Sequence, residues 1–365
     1  MMTAEIETFD EEFIPHRHAW ILLFLFGIGF ALWCVLSCLL PHDRYIRYQQ
    51  SQLVDTYLFR ARWVYERIHF DKTPIDVAIV GSSRVEGTIS APVLETELSE
   101  RFHHPIHVVN ISIPNEGRNL HYLITRELLE HHPETRILLV SVVERADITH
   151  PSFRYLADVS DLLRAPLLIN HYYFLDVAFL PLRQMSYFLQ TYMPSWFGMS
   201  RSFRKDYLGT VLDTTSSFHL PNGKLVDRYH VAPRQELSME SRQMIAKYGG
   251  QWHPRSRWDA LNNPLETEYT KQLVTIAQKH CAEVIFVHIP LYNGTPNMYD
   301  KAFYSGLGPV LDAQQYNDNP DDYADVEHFN HYGAEVVSKW LKSSIDPYLR
   351  PLDSSESCPN PAESR

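Results

Sequence analysis

Between residues 75 and 143 three short apolar runs, IDVAIV (75–80), IHVVNI (106–111) and RILLVSVV (136–143), alternate with two stretches of helical spacing, APVLETELSERF (91–102) and RNLHYLITRELLEHH (118–132). A run that is apolar at nearly every position is buried on both faces, and neighbouring parallel strands need a crossover long enough to hold a helix. The pattern therefore predicts right-handed β–α–β units and an α/β fold with a parallel sheet. It resumes at PLETEYTKQLVTIAQKH (264–280), AEVIFVHIP (282–290) and GAEVVSKWLKSSI (333–345). Residues 150–260 interrupt it with an aromatic-rich stretch, expected to be an insertion that acts as a lid or cap. Within it LPNGKLV carries Asn222-Gly223, a pair suited to a tight hairpin turn.

A second constraint lies ahead of the sheet. Ala19 to Leu40 is uncharged over 22 residues and Pro41 ends it. As a helix it would run about 33 Å, enough to cross a hydrocarbon core of roughly 30 Å. The preceding residues 1–18 form an acidic tail, unlike the basic start of a cleaved signal peptide, so the expectation is an uncleaved single-pass anchor at 19–40. Residues 41–70 are expected to form a polar connecting helix leading away from the membrane. The folded domain would then occupy 71–350, and the Ser/Pro-rich tail 351–365 would be disordered. Orientation is contested within the sequence itself. Arg17 lies before the span, whereas Arg44 and Arg47 follow it, which by charge alone favours a cytoplasmic body.

Composition removes several functions. A net charge of −11 without a basic stripe argues against nucleic-acid binding. The 19 histidines and 4 cysteines show no metal-ligand spacing, so no metal and no cofactor is expected. A disulfide between Cys281 and Cys358 is open but not required by their positions. The pair His288 and Asp325 differ in promise: His288 ends an apolar strand and reads as a satisfied strand-end histidine, while Asp325 belongs to a chemical pattern.

That pattern has two halves. DVAIVGSSRVEG ends a buried strand in a glycine and two serines, and DYADVEHFNHYG places Asp325 three residues before His328, just ahead of the final helix. An imidazole that accepts a serine proton needs a carboxylate on its other nitrogen, to hold the tautomer and stabilise the imidazolium. A D-x-x-H turn can supply that contact. A lone GSSR would equally serve as a helix cap or phosphate turn; the two halves together favour a nucleophile.

Taken together these blocks resemble the SGNH (GDSL-type) hydrolase superfamily, over roughly 75–145 and 265–345. The resemblance implies a three-layer α/β/α fold of flavodoxin-like type. It implies Ser83 as nucleophile, with Ser82 where the family has Asp, and Asp325 and His328 as its partners. Two inner blocks depart from the family. Its second block supplies a backbone N–H from a glycine, and Ser112 stands there in NISIPNEG. Its third block supplies an Asn side chain, and SVVERAD has Glu144 and Arg145 instead, leaving Asn115 or Arg145 to act as the second oxyanion donor.

The resemblance further implies a membrane-anchored serine esterase or O-acyltransferase of the bacterial inner membrane, with its body extracytoplasmic. Its substrate would be an acylated glycan or acyl donor, in particular an acetyl ester of a cell-surface or exported polysaccharide. A membrane acyltransferase partner and the lipid bilayer at 19–40 complete the expected partners. The competing expectation is a non-catalytic module of the same fold that binds glycan or scaffolds a membrane complex.

Overall fold

The computed structural model describes residues 17–142, 148–165, 172–248, 264–294, 298 and 300–349. The chain is α/β. Its strands are β1 (Val77–Val80), β2 (Val108–Asn110), β3 (Ile137–Ser141), the small hairpin β4 (Phe218–His219) and β5 (Leu225–Val226), then β6 (Glu283–His288) and β7 (Val310–Asp312). Five of them form one sheet in the order β2-β1-β3-β6-β7, every adjacent pair parallel. After β2 the chain crosses back over β1 to lay down β3, so the order reverses beside β1. Open parallel sheets place their crevice at such a point, beyond the carboxyl ends of the strands.

Side chains alternate along these strands, and each set joins its own core. Ala78, Val80, Leu138, Val140, Val284 and Phe286 pack with helices Arg60–His69, Arg118–His131 and Pro264–Lys279. Val77, Ile79, Ile137, Leu139, Ile285 and Val287 pack instead with helices Ala91–Phe102 and His331–Leu349. Helices therefore cover both faces, which is why the runs are apolar at every position.

Helix Ala91–Phe102 coincides with the stretch expected from spacing, capped by Ser90 with Pro92 in its first turn. The Asn222-Gly223 hairpin also forms, with Gly223 at φ 83° and the Leu220 N–H bonded to Lys224 O at 2.8 Å. The connecting segment differs from expectation. It is three helices, Arg44–Tyr48, Ser51–Val54 and Arg60–His69, and it does not lead away. Tyr45, Tyr48, Leu53, Leu58, Trp63 and Val64 sit in the core, so this segment is part of the domain. Its charged residues had suggested a solvated helix, but their apolar neighbours decide where it lies. Strand β7 left no run long enough to read, being three residues that are all only half-buried. The insertion packs onto the same domain: Phe153, Leu156, Leu162 and Leu180 join one core, and Ala232 and Leu237 the other.

The N-terminal helix Arg17–Cys38 includes 20 residues, Ala19–Cys38, of mean hydropathy 2.5, long and apolar enough to cross a membrane. Cys34 and Cys38 are free thiols, and Cys281 is disulfide-bonded. The tail 351–365 lies outside the described residues.

Candidate functional site

The turn after β1 begins with Gly81, and a Cβ there would lie 2.6 Å from Ser141 Oγ at the end of β3. Only glycine lets β1 turn this close to its neighbour. Ser82 follows as the N-cap of the short helix Ser83–Thr88, though its side chain makes no capping bond. Ser83 is the first helical residue, so its N–H has no acceptor within the helix. On the other side, the last helix packs against both Ser83–Thr88 and Ala91–Phe102, and Ser338 Oγ holds the Ser90 N–H at 2.9 Å. The loop feeding that helix is thereby drawn back over the end of β1.

There Ser83 Oγ lies 3.0 Å from His328 Nε2. His328 Nδ1 in turn lies 2.9 and 3.0 Å from the two Asp325 carboxylate oxygens. Asp325 Oδ1 also accepts the N–H groups of Glu327 and His328, at 2.8 and 2.9 Å. Burial pushes the Asp325 carboxyl up, but the His328 hydrogen bond and charge and these backbone donors outweigh it and hold its pKa below the ordinary value. The carboxylate is thus kept ionised against the imidazole. Asn330 and Gly333 build the support: Asn330 Oδ1 accepts the N–H groups of Tyr332 and Gly333 at the head of the last helix, and its amide donates to Asp321 O at 2.7 Å. Such an array can move a proton from a serine hydroxyl to an imidazole while the carboxylate compensates the new charge.

Ser82, Ser83 and Arg84 open onto a cavity of about 970 Å³ that Asn115, His150, Tyr155, Tyr172, Asp176 and Glu327 also line. Asn115 therefore shares that cavity with Ser83, in the left-handed conformation at φ 85°, with its amide donating to Tyr57 Oη at 2.5 Å. Ser112 departs from its expected role. It is buried, and its N–H donates to Asn110 Oδ1 at 3.2 Å, so that donor already has a partner. Arg145 and Glu144 lie outside the described residues. His288 is also placed by a bond of its own, to Asp312 Oδ1 at 2.7 Å.

Several residues that hold the site carried little signal in the sequence. Asn110, at the end of β2, donates to Ile89 O at 3.0 Å and to Thr214 Oγ1 at 3.2 Å, tying the end of the Ser83–Thr88 helix to the insertion. A polar residue closing the run HVVN was the available clue. Glu86, within the Ser83–Thr88 helix, pairs with buried Arg60 and with Arg228 at 3.0 Å. His150 accepts the Ser152 N–H on Nδ1, leaving Nε2 to donate to Pro114 O at 2.9 Å. Burial lowers its pKa to about 4, so the ring is a neutral brace for the loop over Asn115.

Gly117 lies under that brace at φ 142°, where an added Cβ would come within 2.4 Å of both the His150 N and Cβ. Gly117→Ala should cost about 2 kcal/mol or more, from backbone strain plus displacement of the His150 loop. A urea unfolding midpoint indistinguishable from wild type would show that the loop gives way without cost.

Comparison with models of known protein families finds no match, and no curated protein is recognisably similar to the chain.

Proposed function

We propose that the chain is an SGNH-type serine esterase or O-acyltransferase with a three-layer α/β/α domain. The observation that carries this reading is the continuous contact from Ser83 Oγ through His328 to the Asp325 carboxylate, at the mouth of a cavity large enough for an acylated ligand. Ser83 attacks the ester carbonyl while His328 takes its proton, then returns it to the leaving alcohol. Water or an acceptor hydroxyl then releases the acyl group from Ser83 by the reverse proton route. The Ser83 N–H, free of any intrahelical acceptor, is the first oxyanion donor. Asn115 is the second, once substrate displaces its bond to Tyr57.

An acetyl ester of a cell-surface or exported polysaccharide is the substrate class, and the chain is anchored at 19–40 in a bacterial inner membrane with its body outside the cytoplasm. The Cys281 disulfide supports an oxidising compartment. Arg44 and Arg47, which by charge count oppose this orientation, both bind Asp158, at 3.0 and 2.7 Å. They serve the fold, which accounts for their place after the span without reference to topology. A membrane acyltransferase would be the natural source of acyl groups for transfer. Turnover of a simple acetyl ester by the full-length protein, and its loss in Ser83→Ala, tests the proposal.

A second reading has one observation in its favour. The Ser112 N–H is already bonded to Asn110, which leaves the oxyanion site short of the donor expected there. A glycan-binding or scaffolding module would tolerate that shortage, and it predicts binding without turnover.

A further inference from the structure

Helix Tyr173–Tyr192, in the insertion, buries its charges along with Leu180 and Tyr187 and leaves a broad apolar face outward. Its only charged residues, Asp176 and Arg183, are both buried, as are Gln184, Gln190 and Thr191. Asp176 pairs with Arg154 at 2.7 Å, and Arg183 donates to Arg154 O. The outward face is apolar: Phe174 is 73% exposed and Leu175 64%, with Phe179, Leu182 and Leu189 continuing the stripe at helical spacing. A helix on a water-facing surface does the opposite, burying its apolar stripe and turning its charges outward.

The place of this helix says what covers it. It packs against the apolar span Arg17–Cys38, with Gln184 Nε2 donating to Cys38 O at 3.5 Å and Thr191 Oγ1 accepting the Asp43 N–H at 3.0 Å. Ser37, near the end of that largely exposed span, is buried, and Cys38 is half-buried. The uncharged outward stripe is thus continuous with the surface of a segment long and apolar enough to lie in lipid. The cavity that opens at Ser83 extends to Tyr172 and Asp176, at the head of the same helix.

We infer that the outward face of helix Tyr173–Tyr192 is a second bilayer contact, seated in the interface beside the span, and that it holds the Tyr172 end of the Ser83 cavity at the membrane surface. The occupant of the stripe is lipid. An acyl donor carried at the bilayer surface reaches Ser83 through that end of the cavity. The inference rests on the reading of 19–40 as an anchor, and its test separates the two.

The photoreactive residue p-benzoylphenylalanine is placed, one position at a time, at Tyr172, Phe174, Phe179 or Leu182 of the full-length protein. The protein is reconstituted in vesicles of phosphatidylethanolamine and phosphatidylglycerol with radiolabelled acyl chains. Phe24 in the span serves as the anchor control. Val336, exposed on the helix that covers the opposite face of the sheet, is the control for water. Lipid adducts at the four positions should form within about threefold of the yield at Phe24 and about tenfold above Val336. Adducts at Phe24 with none at Phe174, Phe179 and Leu182 overturn the inference and leave the anchor standing. Adducts at those three without one at Phe24 remove the anchor, and with it the reading of this face as a contact beside the span. Crosslinks to a second protein chain in place of lipid overturn it, as does absence of an adduct at Tyr172 for the position of the cavity.

Discussion

Ser83→Ala should lower kcat/KM toward a simple acetyl ester by about a thousandfold or more while leaving the urea midpoint almost unchanged. Its hydroxyl is the only atom removed, and that atom's bond is to His328 Nε2. Ser82→Ala should retain most activity. Because the Ser82 side chain makes no capping bond, its loss should also cost less than the roughly 1 kcal/mol typical of a working cap. His328→Ala should match Ser83→Ala, and the double variant should be little worse than either, since the two groups act as one unit. Asp325→Asn should lose less: the imidazole stays beside Ser83, and only its tautomer and charge compensation suffer. Steady-state rates of the five proteins decide the matter. Small and equal losses for Ser82→Ala and Ser83→Ala would make the turn a structural cap.

The second large effect is on stability. Glu86 sits in the Ser83–Thr88 helix with its side chain 1% exposed, between Arg60 at 3% and Arg228 at 10%. Burial lowers the pKa of the Arg60 guanidinium, and the Glu86 charge opposes that shift. Glu86→Ala would leave a buried guanidinium without its carboxylate, an outcome that costs about 3–5 kcal/mol. Glu86→Gln keeps the volume and one acceptor and should cost less. Denaturant titration at constant slope reads the difference directly. A Glu86→Ala protein within about 1 kcal/mol of wild type would mean that water entering between Arg60 and Arg228 replaces the carboxylate.

These two predictions draw on different depths of the sequence. Ser83, Asp325 and His328 were legible because each half of the arrangement is local: a glycine–serine turn after an apolar run, and an Asp three residues before a His in front of a helix. The sheet was legible for the same reason, since strands buried on both faces leave continuous apolar runs. The surroundings of Ser83 were not. Ser112 fell at the expected place, but whether its N–H is free depends on the side chain of Asn110 folding back, which spacing does not record. Arg60 and Glu86 are 26 positions apart and Arg228 lies 142 beyond Glu86, so their meeting is a product of the tertiary fold. The segment 41–70 misled because its arginines suggested a solvated helix, while Tyr45, Trp63 and Val64 draw it into the core.

Covalent labelling tests the central claim most directly. A fluorophosphonate reacts with a serine only when a neighbouring base has made that serine nucleophilic, so it reports the function of the Ser83–His328–Asp325 contact and not merely its geometry. The full-length protein should take up one label, mapped by mass spectrometry to Ser83, and His328→Ala should abolish the uptake without unfolding the chain. An unlabelled wild-type protein, or a label on any other serine, would contradict the assignment of Ser83 as a nucleophile.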